Sequence, residues 1–350
     1  MNFKVLVCAG ATAGHIEPAL NVAKELQSRG VTCEFIGTVR GLDQKLVPAE
    51  GFRLHLIKPV AMPRKISLDI AIFPFRFMIA VLQALSILRR FKPEAIMGFG
   101  SFVAMPMYVA AWLRRIPLFI HEANAKPGIA NRIGAKFAVA CFQSVENSIP
   151  GAKTLGTPLR TIYNDFQRTE LRAQAHKEFG LTAERRTLLV FGGSQGARHI
   201  NEVLNEISGR LTDSSLQILH IVGSKNQDQI QTHPHHHYCE YVSDMSLAYA
   251  AADVAVCRSG AMTVAEISAT STPAIFIPFP TGNGEQEKNA LPLVEHGSAR
   301  VLLEANLTPQ TLFDEISYVL NNLSSMQKST MKPRNATKEI VEEILGTVSV

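Results

Sequence analysis

Residues 4–18 read Lys-Val-Leu-Val-Cys-Ala-Gly-Ala-Thr-Ala-Gly-His-Ile-Glu-Pro, and this stretch carries the first evidence on the fold. Its first five residues form a short apolar run that predicts a β-strand over Lys4–Cys8. A turn of small residues follows, and Leu20, Ala23 and Leu26 then recur at helical spacing until Gly30 ends the helix. This order of strand, glycine-rich turn and helix is typical of a parallel sheet covered by helices.

The same alternation runs through the first half of the chain and then restarts in the second half. Further strands are predicted in the first half at Cys33–Ile36, Leu54–Ile57, Ala95–Gly98, Leu118–His121 and Ala138–Cys141. Turn residues over 149–158 and a polar, charged stretch over 164–186 separate the two halves. Strands are predicted in the second half at Thr187–Phe191, Gln217–Val222, Val254–Cys257 and Ala274–Ile277. The pattern predicts an α/β protein of two doubly wound, Rossmann-like parallel-sheet domains joined near residue 158. A last helix over Lys338–Leu345 can pack on either domain.

Composition narrows the class of protein. With 350 residues, 46% hydrophobic and 19% charged, the chain is long enough for two domains and too apolar to be disordered. The formal net charge of +5 fits an anionic ligand or a membrane surface, but it is too small for a dedicated nucleic-acid-binding protein. Five scattered cysteines without C-x-x-C spacing predict neither a disulfide framework nor a zinc site, and they favour a reducing cytoplasm.

Two segments have ambiguous patterns. Residues 70–88 are apolar enough to suggest a membrane span, but they include Pro74 and Arg76. A charge near the centre of a span costs ~2.5–3.5 kcal/mol, so an amphipathic, interfacial helix is predicted instead. The histidine-rich stretch over 233–237 lacks a second cluster of ligands, and it predicts a solvated loop rather than a metal site.

Small or polar turns follow the predicted strands, where ligands bind in open α/β sheets. In the first half these turns are residues 9–15, 98–101 and 121–128, and the third combines an imidazole, a carboxylate and an amide. Residues 9–15 are not a G-x-G-x-x-G motif, and no acidic residue ends the second strand, so a dehydrogenase is disfavoured. In the second half, the loop over 192–198 is suited to cradle a diphosphate with backbone amides and Ser194.

The stretch over 257–266 has the most specific pattern. A strand ends there, a turn of small residues opens a helix, and Glu266 lies in the early turns of that helix. The N-terminal amides of such a helix hold a phosphate, and a nearby carboxylate accepts the hydroxyls of a ribose. The alternative is that Glu266 only complements the helix dipole, worth ~0.3–1 kcal/mol. No D-x-D pair is present, so the sequence predicts neither a metal nor any other cofactor.

Taken together, these motifs resemble the MurG family of bacterial N-acetylglucosaminyltransferases. The matching stretches span nearly the whole chain; they are residues 14–19, 98–100, 121–132, 156–160, 192–198, 258–266 and 289–290. The resemblance implies a glycosyltransferase-B fold whose two domains face a cleft. It assigns residues 1–158 to an acceptor- and membrane-facing domain, on which the helix over 336–350 packs, and residues 159–335 to a donor-binding domain.

The resemblance also implies the reaction and the residues that carry it. The donor would be UDP-N-acetylglucosamine, and the acceptor would be the 4-hydroxyl of undecaprenyl-diphospho-N-acetylmuramoyl-pentapeptide, glycosylated with inversion. His15 is the implied general base, with Glu122 as the alternative. The implied substrate-binding residues are Thr12, Ala13 and Gly14 at the donor, Asn124 and Gln286 at the sugar, Arg160 and Ser194 at the diphosphate, the backbone of Val242 at the uracil, Ala261 and Met262 at the phosphate and sugar, and Glu266 at the ribose.

Some features depart from the family or leave alternatives open. Ala11 and Ser101 replace frequent glycines, and Glu285 replaces the usual first polar residue beside Gln286. Two other functions stay open: a related transferase that adds a hexose to a lipid such as diacylglycerol, and a non-catalytic nucleotide-sugar-binding subunit. A polyprenyl acceptor requires docking on the cytoplasmic face of the membrane, which the segment Pro63–Pro93 is expected to provide. No nucleic-acid partner is expected.

Overall fold

The described residues divide into two units, of which unit 1 contains those up to Arg160 and from Arg334 onward, and unit 2 those between. The computed structural model describes residues 3–10, 12–39, 41–58, 60, 68–193, 195–213, 215–231, 233–281, 283–329 and 334–348. Ser194 and residues 63–67 of the predicted docking segment therefore lie outside the described residues.

Unit 1 is built on a seven-stranded sheet in the order β3-β2-β1-β4-β5-β6-β7, and its strand pairs are parallel. The strands are β1 (Lys4–Cys8), β2 (Thr32–Thr38), β3 (Arg53–Ile57), β4 (Ala95–Gly98), β5 (Leu118–Glu122), β6 (Ala140–Gln143) and β7 (Lys153–Thr154). The connecting helices are α1 (Ala13–Ser28), α2 (Asp43–Ala49), α3 (Leu68–Phe91), α4 (Ala104–Arg114) and α5 (Ile129–Gly134).

Unit 2 contains a six-stranded sheet in the order β10-β9-β8-β11-β12-β13, again with parallel pairs. The strands are β8 (Arg186–Phe191), β9 (Leu216–Ile221), β10 (His236–Cys239), β11 (Val254–Cys257), β12 (Ala274–Phe276) and β13 (Ala299–Val301). The helices are α6 (Arg168–Phe179), α7 (Arg198–Thr212), α8 (Met245–Ala251), α9 (Ala261–Ala269), α10 (Glu285–Glu295), α11 (Pro309–Asn321) and α12 (Leu323–Lys328). The prediction of two doubly wound parallel-sheet domains is confirmed.

The last helix, α13 (Ala336–Val348), belongs to unit 1. Ile340, Val341 and Ile344 are fully buried and share a hydrophobic core with Ile16 and the strands of the first sheet. Burial of these branched side chains holds the end of the chain on the unit in which the chain begins.

Both sheets reverse their strand order at the first strand of the unit, between β1 and β4 in unit 1 and between β8 and β11 in unit 2. Ligands of open α/β sheets bind beyond the carboxyl ends of the strands at such a switch point. The loops that leave these four strands are four of the turns that the sequence singles out, so the topology brings the predicted loops of each unit to one edge of its sheet.

The structure also corrects several expectations. The prediction of a solvated loop over 233–237 is wrong, because His236 is 3% exposed and begins the edge strand β10. The last predicted strand of the first half lies two residues later than expected, at Ala140–Gln143, and the polar stretch over 164–186 contains the helix α6. The short strands β7 and β13 were not predicted. Short edge strands carry too few apolar residues to show a period.

Candidate active-site loops

The loop after β1 places His15 at the start of α1. Thr12 is extended and precedes the helix, and its side chain makes no capping hydrogen bond to the helix backbone. Its Oγ1 atom instead lies 3.0 Å from His15 Nδ1. This contact holds one ring nitrogen of the imidazole and leaves Nε2 as the atom available to a substrate. Ala13 and Gly14, which were predicted to line the donor site, form the first turn of the same helix.

The electrostatic surroundings of His15 suit a proton acceptor. Burial lowers the pKa of the His15 imidazole below its ordinary value, and the nearby Glu122 carboxylate acts in the opposite direction. The neutral imidazole is therefore the form favoured near pH 7, which is the form that can accept a proton. The Glu122 charge would stabilise the imidazolium once the proton is taken up.

Glu122, the alternative base, is 3% exposed and organises its own loop. Its Oε1 atom accepts hydrogen bonds from the backbone N and the Nδ2 of Asn124, at 2.9 and 3.2 Å. Its Oε2 atom accepts from Gly128 N at 3.1 Å and from Asn131 Nδ2 at 2.9 Å. Four donors thus occupy both carboxylate oxygens and hold the loop from β5 to α5 in one shape.

His121, the imidazole of the same motif, is 1% exposed. Its Nε2 atom lies 2.9 Å from Gly156 O, and burial lowers its pKa to about 4. The ring therefore ties the end of β5 to the segment that leads to Arg160. Arg160 is close enough to Glu17 on α1 to lower the pKa of that carboxyl, although burial, the larger effect, raises it.

Tyr108 and Asn131 connect the loops after β4 and β5. The Tyr108 hydroxyl accepts a hydrogen bond from Gly100 N at 3.3 Å and donates to Asn131 Oδ1 at 3.0 Å. Gly98 packs directly on this hydroxyl, because a Cβ at that position would overlap it. Sequence reasoning missed Tyr108, although a tyrosine within an apolar helix signals a buried hydroxyl that needs a partner.

In unit 2, the loop after β8 follows a tight glycine path. Gly193 and Gly196 have φ of +90° and +80°. Gly196 N donates to Gly193 O at 2.9 Å, and the helix α7 begins two residues further on. Positive φ values at small residues are typical of loops that bind anions with backbone amides.

Glu266 lies on α9, the helix that follows β11. Gly260 precedes α9 without a side-chain cap, so its first amides, at Ala261 and Met262, have no capping side chain. The Tyr249 hydroxyl donates to Glu266 Oε2 at 2.9 Å. Tyr249 is fully buried, and burial raises its pKa well above the ordinary value, with a further contribution from the Glu266 charge. Sequence reasoning missed this tyrosine, which stands out only as a large polar residue in an alanine-rich helix.

The start of α10 distinguishes Gln286 from Glu285. Gln286 Oε1 accepts a hydrogen bond from Phe279 N at 3.0 Å, so the Nε2 atom of the same amide points away from Phe279 N. Glu285 Oε2 accepts from Asn283 N at 3.0 Å, and Glu285 N donates to Asn283 Oδ1 at 3.2 Å. The Glu285 side chain is therefore engaged with Asn283 at the start of the helix. Val242 is half-buried between β10 and α8.

Each unit thus brings its own predicted residues to one sheet edge. In unit 1 these are Thr12, Ala13, Gly14, His15, Glu122, Asn124 and Arg160, and in unit 2 they are Val242, Ala261, Met262, Glu266 and Gln286. Within the described ranges, no group of three or more His, Cys, Asp or Glu side chains could hold a metal ion.

A broad apolar surface lies on unit 1. Its large exposed side chains come from α3 and α4: Phe75, Met78, Ile79, Leu82, Trp112 and Leu113. By length and composition alone, Ile72–Phe91 could cross a membrane. The C-terminal half of this helix, however, packs through Ala84, Ile87 and Leu88 into the core of the unit. The helix is thus anchored in the protein at one end and exposed at the other.

Comparison with known proteins identifies the family. The chain matches the glycosyltransferase family 28 N-terminal domain over residues 5–143 and the glycosyltransferase family 28 C-terminal domain over residues 187–344. It is 44% identical over 333 residues to the UDP-N-acetylglucosamine–N-acetylmuramyl-(pentapeptide) pyrophosphoryl-undecaprenol N-acetylglucosamine transferase of a Mycobacterium species, covering 93% of this chain and 89% of the relative. The chain belongs to the MurG family.

Further members of the MurG family show the same similarity over the whole length. The enzyme of the same name from Corynebacterium glutamicum is 40% identical over 352 residues, covering 99% of both chains. The crystal structure of MurG from Acinetobacter baumannii is 28% identical, has a TM-score of 0.82, and is matched over 98% of this chain and 99% of its own. The expected family and the glycosyltransferase-B type of fold are confirmed.

Proposed function

We propose that this chain transfers N-acetylglucosamine from UDP-N-acetylglucosamine, with inversion, to the 4-hydroxyl of N-acetylmuramoyl-pentapeptide on undecaprenyl diphosphate. The observation that carries the proposal is the full-length similarity to enzymes whose names state this transfer. The polar loops at the switch point of each sheet support it, because each offers side chains suited to one substrate.

In the proposed step, His15 is the general base. Nδ1–H donates to Thr12 Oγ1, 3.0 Å away, so the Nε2 lone pair receives the proton of the acceptor's 4-hydroxyl. The oxygen attacks the anomeric carbon of the donor sugar while the bond from that carbon to the β-phosphate oxygen breaks, and UDP leaves with the electron pair. Such general-base assistance typically contributes ~10²–10⁴-fold. Glu122, whose two oxygens are already hydrogen-bonded within its loop, supplies charge to the imidazolium rather than the base.

Donor binding is proposed mostly for residues 159–335, and acceptor binding for residues 1–158. The N-terminal amides of α9 at Ala261 and Met262 approach the phosphate and sugar, Glu266 accepts the ribose hydroxyls, and Gln286 Nε2 donates to the sugar hydroxyls. The backbone of Val242 holds the uracil. The remaining proposed contacts are Arg160 and Ser194 at the diphosphate, Asn124 at the sugar, and Thr12, Ala13 and Gly14 along the donor.

The acceptor's polyprenyl chain makes this a membrane-associated protein, and we place it on the cytoplasmic face. The exposed side chains of α3 and α4 provide apolar area for insertion. Arg89, Arg90 and Arg114 lie at the C-terminal ends of these two helices. Each such cation near an anionic leaflet contributes ~1 kcal/mol to binding.

The test is an assay of the purified protein with UDP-N-acetylglucosamine and three acceptor conditions. UDP release and sugar transfer are expected with a lipid-linked muramoyl-pentapeptide, and not with diacylglycerol or without acceptor. His15→Ala is the matched inactive control. Transfer to diacylglycerol instead would favour a lipid hexosyltransferase, and UDP binding without transfer to any acceptor would favour a non-catalytic nucleotide-sugar-binding subunit.

A further inference from the structure

A chain of buried polar side chains runs through the core of unit 2. His220 on β9 and Asn201 on α7 are both 0% exposed, and His236 on β10 is 3% exposed. Strands that are covered on both faces are ordinarily apolar, because a buried polar group costs about 1–3 kcal/mol unless it is hydrogen-bonded. Each of these side chains therefore needs a hydrogen-bond partner, and the neighbouring side chains of the group provide it.

The hydrogen bonds form a continuous path from the edge strand to the end of β9. The Tyr238 hydroxyl lies 3.0 Å from His236 Nδ1, and His236 Nε2 lies 3.1 Å from His220 Nδ1. His220 Nε2 lies 3.1 Å from Asn201 Oδ1. Asn201 Nδ2 then donates to Val222 O at 3.0 Å.

The direction of the path follows from the last bond. Because Asn201 Nδ2 donates to Val222 O, its Oδ1 must accept from His220, which therefore carries its proton on Nε2. His220 Nδ1 then accepts from His236 Nε2–H, while the Tyr238 hydroxyl donates its proton to Asn205 Oδ1 at 3.0 Å. Burial supports these neutral forms, since it lowers the pKa of both imidazoles to about 3. One tautomer of each ring satisfies the path from His236 to Val222 O.

Val222 O, at the end of this path, supports the glycine loop after β8. The same carbonyl accepts from Asn226 Nδ2 at 3.1 Å, and that nitrogen also donates to Gln195 O at 3.1 Å. Gly196 packs directly against Val222 O, where any Cβ would overlap it. The orientation of one carbonyl thus determines where residues 195–197 of the loop lie.

We propose that Asn201 and His220 are positioning residues that orient the Val222 carbonyl and so hold loop residues 195–197 in the shape that receives the donor's diphosphate. This proposal rests on the proposed function. Stability alone does not require the path, because apolar residues of similar volume generally fill a buried site without the cost of desolvating polar groups. The path instead specifies one arrangement of the loop after β8 and the loop after β9, whose backbones touch where Gly196 packs against Val222 O.

The test compares His220→Phe with Gln217→Leu. Gln217 lies on the same strand and is also 0% exposed, but it bonds to Thr182 and Thr187 at the opposite end of β9. His220→Phe should raise the dissociation constant for UDP and the KM for UDP-N-acetylglucosamine about tenfold, with the acceptor KM unchanged. His220→Gln should restore most of the affinity, because its Nε2 replaces the donor to Asn201. Gln217→Leu should lower the unfolding temperature and leave UDP binding unchanged.

Hydrogen exchange of the ligand-free protein gives a readout that needs no substrate. Backbone amides over 195–197 should exchange at least fivefold faster in His220→Phe than in the parent, and at the parent rate in Gln217→Leu. Should His220→Phe fail to fold, Asn226→Ala, which removes the side chain that joins Val222 O to Gln195 O, should show the same faster exchange. Unchanged UDP affinity and exchange in folded His220→Phe, or equal losses in Gln217→Leu, would overturn the proposal. A parent protein that binds no UDP would refute the proposed function instead, and the exchange rates would still test the positioning role.

Discussion

Replacing Phe75 by serine tests whether the exposed surface of α3 and α4 docks on a membrane. Phe75 is 65% exposed, so a bilayer can cover about 130 of the roughly 200 Å² that a phenylalanine side chain buries. Full transfer of that area corresponds to about 3 kcal/mol at about 25 cal/mol per Å². Insertion to half this depth contributes about 1.5 kcal/mol, which is roughly a tenfold change in partitioning. The folded protein should lose little stability, because the side chain leaves no cavity.

Flotation with anionic liposomes measures the effect at low and high salt. We expect Phe75→Ser to bind vesicles about tenfold more weakly, and Arg89→Glu with Arg90→Glu to weaken the low-salt binding in particular. Leu291→Ser, at a 43% exposed position on α10 of unit 2, is the control and should bind as the parent does. UDP affinity should be unchanged in all three. Parent-like vesicle binding by Phe75→Ser would show that the docking surface lies elsewhere, and unfolding would show that this part of α3 belongs to the core.

Four further predictions concern the two units. His15→Ala should lower kcat by ~10²–10⁴ with UDP affinity unchanged, and a parallel loss of UDP affinity would show that the residue is structural. Because burial lowers the pKa of this base, the pH–rate profile of the parent should fall only below pH ~6.5. Tyr249→Phe should weaken UDP binding severalfold by freeing Glu266, and Glu266→Ala should cost ~1.5–3 kcal/mol by calorimetry. Ile340→Ala should lower the free energy of unfolding of unit 1 by ~2–5 kcal/mol in a denaturant titration, which a loosely attached helix would not do. His220 has a folded pKa of about 3, below its unfolded value, so its contribution to the free energy of unfolding is complete above pH ~6.5. That contribution is lost toward pH 3 at about 1.4 kcal/mol per pH unit. His220→Phe should therefore make the free energy of unfolding less dependent on pH in this range.

Much of the fold could be read from local pattern. Central strands such as β1, β4 and β11 have the predicted limits, because a strand buried on both faces must be a short apolar run. The loops that follow them were also identified, since parallel strands bring their carboxyl ends to one edge wherever the chain goes next. The edge strands β7, β10 and β13 escaped prediction because they are short and half of their surroundings are polar, whereas the edge strand β3 was predicted.

What the sequence by itself determined is therefore the class of fold, the order of the loops and the residue types that each loop presents. The tertiary structure decided what those side chains do. The sequence leaves Glu122 as an alternative base, whereas in the structure four donors from its own loop and α5 occupy its oxygens. The sequence pattern predicts a solvated loop at His236, but in the structure β9 and Tyr238 bury its ring. The physical reason is that periodicity records which face of an element is buried, whereas the role of a polar side chain depends on hydrogen-bond partners that other elements bring to it in space.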